Sequence, residues 1–366
     1  MHVCFVAPQA WPVLSADSRI GEVGGAEVQQ SILARLLAAH GYRVSMICLD
    51  YGQPERALVD GITVHKAYRP DEGVPLLRFL HPRLTAMWRA LREVDADVYY
   101  TRTAGMLAGV VAEFCRRHGR RSIHAGASNM DFVDGAGGQI RYARDRWLYR
   151  RGLALVDRIV AQNEVQRSSC RATYGRDAVV IPSCYQLPER RAGNPPPRDT
   201  VLWVGVIRAG KRPELLLELA RRLPQRRFVM VGGPRGGDAA LFERTRAEAA
   251  TLPNVEFTGF LPLPEVEPRF DAARLFVNTS DYEGLPNTFL QAWARGVPTL
   301  GTVDVGTSAH RRFGDVEAGA YEIEALLGDA RRWAEASGRC REHFERNHSG
   351  SETLARYGRL LEGLAA

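Results

Sequence analysis

Two short stretches of this chain hold residue types that could act on a phosphorylated ligand. The first is Val204-Gly205-Val206-Ile207-Arg208-Ala209-Gly210-Lys211-Arg212-Pro213, which reads as a strand, a turn and the start of a helix. Lys211 there stands beside a helix N-terminus, where an ammonium and the helix dipole together would stabilise a diphosphate, including one departing with its charge. Lysine is rare in the chain: Lys66 and Lys211 are the only two, and arginine carries the rest of the positive charge. A compact ammonium enters a small anion pocket that a planar guanidinium does not fit. Arg208 is a second candidate cation. The plain alternative for Lys211 is a surface lysine on a loop.

The second stretch is Asp281-Tyr282-Glu283-Gly284-Leu285-Pro286-Asn287-Thr288-Phe289-Leu290-Gln291. A strand ending at Ser280 would place Glu283 at its carboxyl end, where a carboxylate can accept hydrogen bonds from sugar hydroxyls. A glycine turn with free N–H groups follows, and then a helix opened by Pro286. Gln291 lies one turn after Asn287 on the same helix face. An acidic loop residue and a polar helix face are the alternative reading. Two further features sit at comparable places. Gly21-Glu22-Val23-Gly24-Gly25-Ala26-Glu27 lies between the first strand and the first helix and suits close backbone approach to an anion. It lacks the Gly-x-Gly-x-x-Gly spacing of a dinucleotide site, which disfavours a nicotinamide dehydrogenase. His124, after a strand over 121–123, would stand at a sheet edge or be a structural histidine.

The elements that must position these groups alternate strand and helix. Strands are expected over 3–7, 43–49, 62–66, 97–101, 121–125 and 158–161, with helices over 27–40, 83–93, 108–118, 138–154 and 164–174. The proline-rich segment 186–199 interrupts the pattern and reads as a linker between residues 1–185 and residues 200–350. The alternation then restarts, with strands over 200–206, 227–231, 255–258, 275–279 and 298–302. Helices are expected over 213–222, 238–250, 286–295, 325–347 and 351–364. Such alternation predicts two α/β domains with parallel sheets, ligands being held on the loops at the carboxyl ends of the strands.

Bulk properties narrow the classes. The chain has 366 residues and an excess of seven basic over acidic side chains, 49 against 42. That suits a phosphate-bearing ligand or an anionic membrane surface, and no recognition module for nucleic acid is present. No apolar run is long enough to span a bilayer. The N-terminal residues read as a strand, not a signal peptide. The six cysteines are scattered without a Cys-x-x-Cys pair, which argues against a zinc site or disulfide framework and fits a cytoplasmic protein. Residues 78–92 and 139–151, both rich in arginine with aromatic residues between, read as packed surface helices or as peripheral contacts with the inner membrane face.

On these motifs the chain resembles glycosyltransferase family 4, a retaining family with the two-domain GT-B fold. The matches fall in order: Gly24-Gly25-Ala26-Glu27; Val204-Gly205 with Lys211; and Tyr282-Glu283-Gly284-Leu285-Pro286-Asn287 followed by Gln291-Ala292 and Gly296-Val297-Pro298. The resemblance covers nearly the whole length. It implies two Rossmann-like domains facing each other across a cleft, an acceptor-binding first domain, a nucleotide-sugar-binding second domain, and a last helix, 351–366, crossing back to the first. It further implies that Glu283 contacts the donor sugar. Lys211 and the backbone of Gly284, Leu285, Pro286 and Asn287, with Thr288 beside them, would hold the diphosphate. Gly24 and Gly25 would approach the donor phosphates, His124 would lie near the sugar, and the position of Gln291 would meet the ribose. No metal or separate cofactor is implied. By the same resemblance the donor would be a UDP- or GDP-sugar, and the acceptor a hydroxyl of a glycan, a lipid-linked glycan or a glycosylated small molecule.

Two positions depart from the family. Gln291 replaces the second of two glutamates separated by seven residues, and an amide has one acceptor oxygen and no charge. Val206 stands where the family often places an arginine, which leaves Arg208 or Lys211 alone to serve. These departures keep open a non-catalytic nucleotide-sugar-binding relative, and a sugar-nucleotide 2-epimerase of the same fold is a further alternative.

Overall fold

In the computed structural model, the runs of β-branched and aromatic residues form strands and the segments between them form helices that bury one face. The structure describes residues 1–15, 24–74, 78–187, 198–234 and 237–365. Gly21, Glu22 and Val23 of the glycine-rich loop and 188–197 of the proline-rich segment lie outside the described residues. The chain divides into two units: Met1–Cys184 with Gly350–Ala366, and Tyr185–Ser349.

The first unit contains strands β1 (His2–Val6), β2 (Arg43–Cys48), β3 (Arg56–Val59), β4 (Ile62–Lys66), β5 (Val98–Arg102), β6 (Arg121–Ala125), β7 (Arg158–Ala161) and β8 (Val179–Val180). Helices α1 (Trp11–Ser15), α2 (Gly25–Ala39), α3 (Thr85–Val94), α4 (Met106–His118), α5 (Ala143–Leu155) and α6 (Glu164–Tyr174) connect them. The sheet order is β3-β4-β2-β1-β5-β6-β7-β8, so the chain order reverses about β1. Every pair is parallel except β3–β4. That hairpin turns at Asp60 and Gly61, both at positive φ (50° and 78°). An Asp-Gly pair between strand-like runs favours such a tight turn, and it is the sequence signal for the strand that periodicity missed.

The second unit contains β9 (Thr200–Val204), β10 (Arg227–Val231), β11 (Val255–Gly259), β12 (Ala273–Asn278), β13 (Thr299–Gly301) and β14 (His310–Arg312). Its helices are α7 (Pro213–Arg222), α8 (Ala239–Ala249), α9 (Leu263–Ala272), α10 (Asn287–Ala294), α11 (Val316–Leu327) and α12 (Ala330–Asn347). The strands are all parallel, in the order β11-β10-β9-β12-β13-β14. The order reverses between β9 and β12, and the loops leaving such a pair of strands open a crevice. Trp203, Leu216, Phe228, Met230, Leu275 and Ile323 fill the core beneath them.

A final helix, α13 (Gly350–Ala365), returns to the first unit. Tyr357 and Leu361 join the core around Phe5, Met46 and Leu37, and the Tyr357 hydroxyl lies 3.3 Å from that of Tyr100.

Three expected helices differ. The one expected over 138–154 begins at Ala143, because Gly137 and Gly138 adopt positive φ in the 3-10 turn before it. The one expected over 325–347 is two helices separated at Gly328, with Asp329 capping the second through the N–H groups of Arg331 and Arg332. Helix α10 begins at Asn287, with Pro286 as its extended N-cap (ψ 137°) rather than its first turn. Helix α9 was not among the expected elements; it carries Pro264 and Pro268, and Pro264 sits in the first turn, where no N–H is needed.

Candidate functional site

Lys211 and Glu283 come from the loops after β9 and β12, the two strands flanking the reversal in the second sheet. Past its last strand residue, the β9 loop keeps bonding to the β10 loop, Gly205 N–H to the Val231 carbonyl at 3.0 Å and Ile207 N–H to that of Gly233 at 2.9 Å. It then folds into the 3-10 turn Ala209–Lys211 and enters α7 through Arg212 in a left-handed conformation. A buried ladder joins this loop to the next. The Trp203 indole donates to Thr279 Oγ1 (3.0 Å), Thr279 donates to the Lys211 carbonyl (2.7 Å), and the Asp281 N–H donates to the Gly210 carbonyl (3.0 Å).

The outcome is an ion pair between Lys211 Nζ and Glu283 Oε1, the side chains being 19% and 15% exposed. Ser280 Oγ donates to the same carboxylate oxygen at 2.7 Å. Ser280 is fixed in turn by Asn278 Oδ1, which accepts its N–H, and by Thr302, which donates to its carbonyl. The lysine and the carboxylate are thus held on rigid strand ends, half-buried, where charge interactions are stronger than in open water. Around Gly284 there is space, since a Cβ there would have no heavy atom within 4 Å. Arg208 lies at the start of the 3-10 turn, and its Nε is buried without a hydrogen-bond partner among the described residues.

Gln291 is buried on α10 with its Nε2 donating to Glu267 Oε1 of α9 at 3.0 Å. Glu267 was not expected at the site from the sequence, and nor were Ser280 and Thr279. Only their three-dimensional proximity marks them. Leu285, Pro286, Asn287 and Thr288 are partly buried as the turn enters α10.

The remaining candidates belong to the first unit. Gly24 is the N-cap of α2 and Gly25 its first residue. The Glu27 carboxylate packs against Gly24, so an acidic side chain already sits at that helix start. His124 lies within β6, not beyond it, and is 1% exposed. The expected placement at an open sheet edge is therefore corrected: β6 is covered on both faces, and the imidazole packs edge-on to Tyr149 and Phe132. Its Nδ1 lies 3.0 Å from Thr101 Oγ1, and its Nε2 has no hydrogen-bond partner among the described residues. Burial, then the nearby Arg102 guanidinium, lower its pKa to about 3, so the ring is neutral near pH 7.

The solved structures that resemble this chain establish its fold class. Sucrose-phosphate synthase from Thermosynechococcus elongatus superposes with a TM-score of 0.76 over 100% of this chain and 99% of that one, at 19% identity. Anabaena HepE, in complex with UDP and glucose, superposes at 0.73 over 98% and 99%, at 15% identity. Two parallel-sheet units of this kind define the GT-B fold. Within that class the chain belongs to glycosyltransferase family 4: residues 23–187 match the model described as Glycosyltransferase Family 4, and residues 198–340 the one described as Glycosyl transferases group 1. It is also 26% identical over 306 residues, 78% of this chain and 77% of the relative, to the GDP-mannose-dependent alpha-mannosyltransferase of Mycolicibacterium smegmatis. A 144-residue stretch is 32% identical to the D-inositol 3-phosphate glycosyltransferase of a Mycobacterium species, covering 36% of this chain and 33% of that protein.

Proposed function

We propose that this enzyme transfers a hexosyl group from a UDP- or GDP-sugar to a hydroxyl of a carbohydrate or glycolipid acceptor, with retention at the anomeric carbon. The observation that carries the reading is the Lys211–Glu283 pair on the two strands where the second sheet reverses order. In the reaction the bond from the anomeric carbon to the phosphate oxygen breaks and the acceptor oxygen takes its place. The acceptor's proton leaves with the diphosphate. Lys211 exchanges Glu283 for the β-phosphate and stabilises its growing charge, while Glu283 turns to the sugar hydroxyls. The turn backbone from Gly284 to Asn287 and the nearby Arg208 contribute to phosphate binding, and Gln291 receives a ribose hydroxyl. Gly24 and Gly25 approach the donor phosphates. His124 acts as a neutral group near the sugar, which requires the packing around it to open.

The ligands of two similar proteins, GDP-mannose for one and UDP with glucose for the other, set the first trial substrates. Incubation of the enzyme with each donor and a panel of simple glycosides, read by NMR of the new anomeric proton, yields a product with the donor's configuration. An inverted product, or none with any nucleotide-sugar, contradicts the reading.

Contact with an anionic membrane is the second part of the proposal. Among the described residues no helix is long and apolar enough to cross a membrane. Yet Trp147 (60% exposed), Tyr142 and Leu80 are open to solvent, and Arg144 stacks on Phe79, joining the two arginine-rich segments into one basic and aromatic surface. Sedimentation with phosphatidylglycerol vesicles at low salt carries the enzyme down, and Trp147→Ala with Leu80→Ala weakens this. Equal recovery with phosphatidylcholine vesicles contradicts it.

A further inference from the structure

The family's second motif glutamate is replaced here by Gln291, and the structure shows a carboxylate next to the replacement. Glu267, from the neighbouring helix, accepts the Gln291 amide N–H at 3.0 Å through Oε1. Its other oxygen accepts the Tyr185 hydroxyl at 2.6 Å and the Arg295 guanidinium at 2.6 Å. Arg295 is 4% exposed, bonds Asp271 as well (2.7 Å), and donates to the Gln291 carbonyl at 3.1 Å. Both the backbone and the side chain of residue 291 are therefore tied to this buried cluster. The amide nitrogen is committed to Glu267, and no described residue bonds Gln291 Oε1.

We infer that Glu267 is a positioning residue of the donor site: it fixes the Gln291 amide with its oxygen as the acceptor end, so that the nucleotide's ribose meets an oriented amide in place of a carboxylate. The inference rests on the donor reading above. Its physical basis is charge. Within the cluster Glu267 and Asp271 already share the Arg295 guanidinium, with Arg198 donating to the Arg295 carbonyl at 3.0 Å, and a glutamate at 291 would set a third carboxylate within hydrogen-bond distance of Glu267. Restoring the family's residue is thus unfavourable in this chain unless Glu267 changes with it. An uncharged partner at 267 removes the conflict, because an amide there can donate to a carboxylate at 291.

The test measures UDP and GDP binding to the full-length enzyme by calorimetry, alongside donor KM and kcat. Gln291→Glu alone weakens nucleotide binding and raises donor KM by about tenfold, with kcat less affected. The double variant Glu267→Gln/Gln291→Glu returns to within about threefold of wild type. A loss confined to nucleotide binding and donor KM, and reversed by the second substitution, is not expected of a merely structural role. Undiminished nucleotide binding by Gln291→Glu overturns the inference, as does a double variant that folds yet binds no better than the single one. If the wild type binds neither UDP nor GDP, the donor reading itself fails, a result that calorimetry separates from the other two.

Discussion

Lys211→Ala lowers the rate of sugar transfer by about 100-fold or more, an effect typical of removing one preorganised group from a developing negative charge. No other lysine can replace it. Lys66, the second of the two, lies in the other unit and is held between Asp50 at 3.4 Å and Glu55 at 3.3 Å. The loss falls mainly on kcat, because the diphosphate gains charge as its bond to the sugar breaks. Lys211→Ala also leaves Glu283 with Ser280 as its remaining partner, so Lys211→Met, which keeps the side-chain volume, separates lost charge from lost packing. Lys211→Arg recovers less than charge alone would restore, since a planar guanidinium does not match the place of a compact ammonium. Steady-state kinetics at saturating donor decides the matter. Wild-type kcat in Lys211→Met removes the lysine from the mechanism.

Arg295→Met has the largest expected effect on stability, a loss of about 3–5 kcal/mol, because it strands the largely buried Glu267 without its cation. The guanidinium meets Glu267 at 2.6 Å and Asp271 at 2.7 Å from a position 4% exposed. Methionine keeps most of the volume, so the penalty is electrostatic rather than a cavity. Equilibrium denaturation measures it, and Glu267→Gln added to Arg295→Met recovers much of the loss because the uncompensated charge is gone. A change below about 1 kcal/mol in Arg295→Met shows that the cluster is solvated and contributes little.

The alternation of strand and helix was legible because parallel strands buried on both faces carry near-continuous apolar runs, as in Val201, Leu202 and Trp203 or Leu275, Phe276 and Val277. Lys211 and Glu283 were legible as separate candidates, each at a strand's carboxyl end. That they pair was not, because they stand 72 positions apart and are brought together only by strand order, which depends on how β9 and β12 join. His124 shows the converse limit. Its position in the chain suggested an edge, but burial is decided by Tyr149 and Phe132 packing over it. Glu267 was invisible for a similar reason: in sequence it is one acidic residue in a proline-flanked helix, and its importance comes from the Gln291 amide across the helix pair.

The central claim is that the departing diphosphate is held by Lys211 at the reversal of the second sheet. A crystal structure of the enzyme with the nucleoside diphosphate of its preferred donor tests this most directly. The account predicts a β-phosphate oxygen within hydrogen-bond distance of Lys211 Nζ, the Lys211–Glu283 pair opened, and the diphosphate lying against the turn at Gly284. A diphosphate bound elsewhere, with Lys211 still on Glu283, would contradict it.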